Sequence, residues 1–246
     1  MRLDIALLPP EIEALDLEGK TAIVVDVLRA TSTIVTAIAN GARCVLPCLS
    51  PEEALRAKSA DPENVLACGE REGKAVEGFD LGNSPLEYSP ERVRGKAVAL
   101  TTTNGTRALR LCSSKRARRV LIGSFLNLSA LCERVARSED EITIVCSGKE
   151  ERFGLEDAVF AGFCVFKLED LLDDLELSDS AIAAKALAER FSDIVRMFLT
   201  SEHGRYLAGI GFQEDLRFCA KVDLLEIVPE YLVEENCLRE RDETDH

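Results

Sequence analysis

The chain has 246 residues, 46% hydrophobic and 30% charged, with 44 acidic against 30 basic residues and a formal net charge of −14. This composition suits a folded protein with a sizeable core and excludes intrinsic disorder. The acidic balance argues against nucleic acid and anionic membranes as main partners, because both need a basic face.

At the N-terminus, "MRLDIALLPP" holds only a four-residue apolar run, Ile5 to Leu8, too short for a signal peptide. No stretch approaches membrane-spanning length, and a cytoplasmic location is expected. Nine cysteines, an odd number without any C-x-x-C pair, lie mostly in apolar runs such as "TIVC". They read as reduced core thiols rather than a disulfide framework or a zinc site.

Short runs rich in Val and Ile read as largely buried strands: 21–27, 43–47, 64–69, 96–101, 119–123 and 141–147. Helix-like stretches alternate with several of them. These are "TSTIVTAIANG", "SPEEALRAKS" with Pro51 in its first turn, "TRALRLCSS" and "NLSALCERVAR". Residues 84–96, with two Ser-Pro starts, read as a pair of short helical turns. From 155 to 220 the pattern is nearly all helical, and "KVDLLEIVP" (221–229) is a candidate closing strand. The expectation is an α/β layered fold with a largely parallel or mixed sheet between helices and a mainly helical C-terminal third. Residues 1–246 are expected to form a single compact domain, with 155–220 as a candidate helical subdomain.

In open α/β sheets, ligands collect beyond the carboxyl ends of strands. Five loops qualify: 26–33 ("DVLRATST"), 69–85 ("GEREGKAVEGFDLGNSP"), 101–109 ("TTTNGTRAL"), "SFLN" after 123, and 147–162 ("SGKEERFGLEDAVFAG"). Four of them combine Arg or Lys with Gly, Ser, Thr or Asn, the mixture that cradles oxyanions at helix N-termini. Three also carry acids: Asp26, Glu70 with Asp80, and Glu156 with Asp157. Oxyanion donors beside carboxylates suggest a phosphate bound together with a hard divalent ion, Mg²⁺ above all.

Structural roles compete with this reading. Asp26 could satisfy the amides of its own turn, Thr31 or Ser32 could cap the following helix, and Asn104-Gly105 could make a hairpin. "GLED" could be a helix start with acids in its first turn. The 69–85 loop resists such a reading best, since long ordered loops are usually functional. Only His203 and the terminal His246 are histidines, so acid, base or metal chemistry is expected to fall mainly to carboxylates. No Walker motif, complete G-x-G-x-x-G or Asp-x-Asp-x-Thr is present.

Together, "DVLRATST", "GEREGKAVEGFDLGNSP", "TTTNGTRAL" and "RFGLEDAVFAG" resemble the Mg²⁺-dependent 2-phosphosulfolactate phosphatases. The likeness keeps the same order from Asp26 to Gly162, with a weaker echo at "GFQEDLRFCAKVD". It implies hydrolysis of 2-phospho-3-sulfolactate to 3-sulfolactate and phosphate, the step known from coenzyme M synthesis, on an α/β fold peculiar to the family. Residue roles are assigned here from chemistry. Arg29 and Arg107 are the expected phosphate clamp, with Thr31, Ser32, Asn104, Gly105 and Thr106 around it. Arg71 and Lys149 are the expected partners of the substrate's other acid groups. Glu70, Asp80, Glu156 and Asp157 are the expected Mg²⁺ ligands, and Asp26 is either a further ligand or the nucleophile. Two alternatives stand beside this: a phosphatase for another small 2-phospho-carboxylate, and a non-catalytic sensor of an anionic metabolite. The expected partner is a small anionic phosphoester, and a homo-oligomer is compatible with the sequence.

Overall fold

The computed structural model of the chain describes residues 1–138 and 140–241. Strand β1 (Arg2–Ala6) leads through α1 (Glu11–Ala14) to β2 (Thr21–Val25) and α2 (Ala30–Ala39). Next come β3 (Cys44–Cys48), α3 (Pro51–Ala60), β4 (Val65–Arg71) and the two-residue β5 (Lys74–Ala75). A 3-10 turn at Pro85–Glu87 and α4 (Pro90–Val93) precede β6 (Ala97–Thr101) and α5 (Gly105–Ser114). The chain continues with β7 (Arg119–Gly123), a 3-10 turn at Phe125–Asn127, α6 (Leu128–Ala136) and β8 (Ile142–Cys146). Helices then dominate: α7 (Leu155–Leu171), α8 (Asp179–Glu189), α9 (Ile194–Thr200), α10 (Glu202–Gly209) and α11 (Gln213–Cys219). Only the short β9 (Glu176–Leu177) interrupts them, and the hairpin β10 (Pro229–Leu232) and β11 (Cys237–Glu240) follows. The fold is of the expected α/β class, with the expected helical run after 155.

All eleven strands join one sheet in the order β5-β4-β6-β3-β11-β10-β7-β2-β8-β1-β9. Strands β4, β6 and β3 form one parallel block, and β7, β2, β8, β1 and β9 form another. The C-terminal hairpin lies between them, β11 antiparallel to β3 and β10 antiparallel to β7. Three antiparallel joints in a row mean that the two blocks run in opposite senses. In a flat sheet their carboxyl ends would lie on opposite edges. Strands rotate by roughly 20–25° per step, so the five steps from β2 to β6 turn the strand direction by roughly 100–125°. Twist therefore brings the ends of β2, β4, β6 and β8 towards one place.

Burial on both faces explains the unbroken apolar strands. Ile23 and Val25 of β2 pack with α6, α7 and α8 residues in one cluster, while Ala22 and Val24 pack with α2 and α5 in another. Helix α2 is itself buried from Ala30 to Ile38. Its hydroxyls are internally satisfied: Ser32 Oγ donates to the Val27 carbonyl, Thr36 Oγ1 to the Ser32 carbonyl and Thr33 Oγ1 to the Asn83 carbonyl. A helix of small residues with paired hydroxyls can lie in the core without orphaned polar groups. All nine cysteines are buried, unpaired thiols. Among the described residues, no helix is long and apolar enough to cross a membrane.

Two details depart from the sequence reading. The expected strand at 221–229 begins only at Pro229. Residues before it lie along the 3-10 turn, Asp223 and Leu225 donating to the Phe125 and Leu126 carbonyls at 3.0 and 2.8 Å. Strand β1 and the closing hairpin were not foreseen, because each is short and defined by its neighbours rather than by its own pattern.

Candidate active site

Asp26 follows β2 directly and stands 7% exposed. Its main-chain N–H donates to Thr31 Oγ1 at 3.2 Å, and its Oδ1 accepts a long bond from the Ala30 amide at 3.4 Å. It thus does part of the turn-satisfying work that a structural role would require. Burial pushes its carboxyl up to about 6, with the nearby Glu70 and Glu156 charges adding and His203 opposing. Such a group holds its negative charge under strain and would gain from a cation.

Strand β6 delivers α5 against the same carboxylate. A Cβ on Gly105, the first residue of α5, would come 2.8 Å from Ala30 Cβ and 2.9 Å from Asp26 Oδ2. Strand β4 delivers Glu70, which clasps two loops at once. Its Oε1 accepts from the Thr103 amide and hydroxyl at 2.8 and 2.9 Å, and its Oε2 from the Gly73 amide at 2.7 Å. Arg71 beside it donates to the Glu70 carbonyl and to Thr101 Oγ1. Strand β8 delivers Lys149, whose ammonium lies 4.8 Å from the centre of the Tyr206 ring.

These groups line one cleft of about 370 Å³, together with Asn83, Asn104 and His203. An adjoining hollow of about 360 Å³ shares Lys149, Glu150 and His203 with it and adds Arg152. Left-handed backbone at Glu72, Glu150 and Glu151 (φ 51, 51 and 62°) marks the rim, where strain is commonly functional. Asn83 is 5% exposed, and its Oδ1 has no hydrogen-bond partner. An unpaired buried acceptor on a cleft wall calls for a donor or a cation from outside the chain. A larger hollow of about 450 Å³, lined by Arg134 and Asp223, receives none of the five strand-end loops, and Arg134 there is already paired with Glu230.

The expected site residues divide into three groups. Asp26, Arg29, Glu70, Arg71, Asn104 and Lys149 line the cleft. Arg29 does so with its donors committed elsewhere: one nitrogen bonds Asp215 Oδ2 at 2.6 Å, the other the Gly73 carbonyl at 2.7 Å, and Phe212 stacks 4.0 Å away. Its partner Asp215 also accepts from Ser84 at 2.8 Å. Arg29 is therefore a buried tie between α2, α11 and the 69–85 loop, not a free clamp.

A second group supports the cleft from behind. Thr31 receives the Asp26 amide, Ser32 bonds Val27, Thr106 donates to the Thr102 carbonyl, and Gly105 makes room for Asp26. Asp157 accepts from the Val27 and Gly148 amides, both at 3.0 Å, and so pins the β2 and β8 loops together. Burial, then the charges of Asp26 and Glu156, push its carboxyl well above the usual range. Glu156 turns to His203, whose Nδ1 lies 3.3 Å from its Oε1. Burial alone would raise Glu156, but His203 and Ser201 hold it below the usual carboxylate range.

The third group lies away from the cleft. Arg107 is half exposed and pairs with Glu151 and Glu13. Asp80 pairs with Lys58 at 2.6 Å and accepts from the Ala67 amide at 2.8 Å, which fastens its loop to β4. Neither lines the cleft that holds Asp26 and Lys149. Asn83, Thr103, His203 and Tyr206 were not among the expected site residues. The signal for His203 was available: it is the one histidine away from the C-terminus, two residues after Ser201, the N-cap of α10.

Among the described residues, no three His, Cys, Asp or Glu side chains converge as a ready metal cage. Mg²⁺ commonly takes one or two protein oxygens and completes its shell with water and substrate phosphate. Asp26, the neighbouring Glu70 and the unpaired Asn83 Oδ1 fit that pattern of hard oxygen donors.

Three of the four motif stretches that carry the resemblance line this cleft, and the fourth, "RFGLEDAVFAG", lines the adjoining hollow. The model of the 2-phosphosulpholactate phosphatase family matches residues 6–234. The chain belongs to this family. It is 43% identical over 232 residues to the probable 2-phosphosulfolactate phosphatase of Pseudothermotoga lettingae, covering 94% of this chain and 96% of that protein. A protein of the same description from Clostridium acetobutylicum is 36% identical over 231 residues, 94% of this chain and 97% of its own length. One from Thermotoga maritima is 44% identical over 213 residues, with 86% and 89% covered. The chain is thus a member of a phosphatase family across nearly its whole length.

Proposed function

We propose that the chain hydrolyses 2-phospho-3-sulfolactate to 3-sulfolactate and phosphate with Mg²⁺, in the cytoplasm. One observation carries this reading. The ends of β2, β4, β6 and β8 meet at a cleft where Arg71 and Lys149 form no salt bridge among the described residues. In a chain of charge −14, two cations without a salt bridge in the same cleft as a buried carboxylate favour a ligand that brings several negative groups.

The substrate carries a phosphate, a carboxylate and a sulfonate on three carbons, and it needs such cations. Arg71 offers a planar fork for one acid group and Lys149 a compact charge for another. The Thr103 and Gly73 amides, held by Glu70, keep the wall fixed, so donors are aimed before the substrate arrives. Mg²⁺ held at Asp26, Glu70 and Asn83 would polarise the phosphate and neutralise charge as the phosphoryl group transfers. Asp26, directly after β2 and nearly buried, also orients the group that attacks phosphorus. Nine buried thiols support a reducing compartment.

The test is phosphate release from 2-phosphosulfolactate compared with 2-phospholactate and phosphoglycolate, with and without Mg²⁺. Turnover of the sulfonated substrate above the others supports the reading. Binding without turnover of any of them would favour a sensor.

A further inference from the structure

The chemistry above leaves one group in the cleft without a task. His203 stands at the junction of both hollows and contributes to the lining of each. Its side chain is 17% exposed, and its Nδ1 faces the buried Glu156 carboxylate, itself 4% exposed, at 3.3 Å. Since Nδ1 is taken, Nε2 across the ring is the nitrogen left for a ligand. A carboxylate on one imidazole nitrogen fixes the ring's orientation. Glu156 has the further support of Ser201, which caps α10 and so ties the histidine's helix to α7.

The charges around the ring come from four elements. Glu156 comes from α7, Asp26 from the end of β2, Lys149 and Glu150 from the loop after β8, and Glu202 and Tyr206 from α10 itself. Helix α10 also bears the Tyr206 ring beneath Lys149, so the same helix presents the anion-binding ammonium's platform and the imidazole.

We propose that His203 is the general acid that protonates the departing ester oxygen, with Glu156 as its positioning residue; this rests on the phosphatase reading above. The alcohol of an alkyl phosphate leaves as an alkoxide, a poor leaving group unless it receives a proton as the bond breaks. In the step, the bond between phosphorus and ester oxygen breaks and its electron pair stays on that oxygen. The Nε2 proton of His203 goes to the same oxygen, giving the free 2-hydroxy acid. A water oxygen bonds to phosphorus and keeps both its protons, so phosphate leaves as the dihydrogen anion. His203 then regains its proton from the product phosphate or from solvent. Protons and charge balance without an oxidant or co-reactant.

The experiment compares kcat/KM on two monoesters that differ in need of an acid. One is 2-phosphosulfolactate, an alkyl ester; the other is 4-nitrophenyl phosphate, whose phenolate leaves unaided. His203→Gln should lose about 10²–10⁴-fold on the alkyl ester and less than about tenfold on the aryl ester. Glu156→Gln should show the same preference with smaller losses, and free imidazole should partly restore the alkyl activity of His203→Ala. Equal losses on both esters in these variants would overturn the assignment and leave His203 a structural support. Absence of phosphate release by the wild-type enzyme from either ester would overturn the phosphatase reading itself, and this assignment with it.

Discussion

Gly105 and Asp26 come from different parallel blocks of the sheet, yet the α carbon of one lies against the carboxylate of the other. A methyl group on Gly105 would sit 2.9 Å from Asp26 Oδ2 and 2.8 Å from Ala30 Cβ. Gly105→Ala should therefore shift Asp26 and the start of α2 together. We expect kcat/KM to fall by on the order of 10²-fold, the scale of about an ångström of misplacement. Stability should fall by only about 1–3 kcal/mol, as for ordinary overpacking. Unchanged turnover would show that the position of Asp26 is not critical.

Asp26 makes the free enzyme less stable as it ionises. Its folded carboxyl sits at about 6 against an ordinary 3.8, so the folded state holds the extra proton between those values. Stability is fully present below about pH 4 and is lost as pH rises through about 6. At neutral pH the loss is roughly 3 kcal/mol. Asp26→Asn should raise Tm at pH 7.5, and the gain should vanish by about pH 4. Mg²⁺ should raise the wild-type Tm at pH 7.5 and leave that of Asp26→Asn nearly unmoved. Thermal melts over pH with and without the metal check both.

Arg29 and Arg71 should fail in different ways. Arg29→Ala strands a buried Asp215 and should cost about 3–5 kcal/mol of stability. Arg71→Ala removes bonds to a carbonyl and a hydroxyl only, so Tm should change little. Its kcat/KM for 2-phosphosulfolactate should nonetheless drop, and about tenfold to hundredfold more than for 2-phospholactate, which lacks the sulfonate. Lys149→Ala should show the same selectivity. Equal losses on both substrates would assign these cations to the phosphate instead.

Arg107→Ala serves as the contrast. The side chain is half exposed and paired with two exposed glutamates. Its loss should change stability by less than about 1 kcal/mol and leave kcat/KM near wild type. A large catalytic defect would restore Arg107 as a phosphate clamp.

The sequence displayed six of the strands, their burial and the loops that form the cleft, because each rests on local pattern and on the rule that ligands gather at strand ends. It could not display which side chains face inward. Arg29 read as a free clamp because its partner Asp215 is 186 positions away. Asp80 read as a metal ligand because its bond to the Ala67 amide is a tertiary contact. Glu156 read the same way, and only folding places it beside His203. The opposed directions of the two parallel blocks were equally hidden, since they depend on a hairpin of two four-residue strands.

The most direct measurement is phosphate release from 2-phosphosulfolactate by purified wild-type enzyme, first stripped with EDTA and then supplied with Mg²⁺. Activity that is absent in the stripped sample, returns with Mg²⁺ and exceeds that on 2-phospholactate is the expected result. Full activity in a demonstrably metal-free sample would contradict the metal site at Asp26, Glu70 and Asn83. No phosphate release under either condition would contradict the proposed reaction.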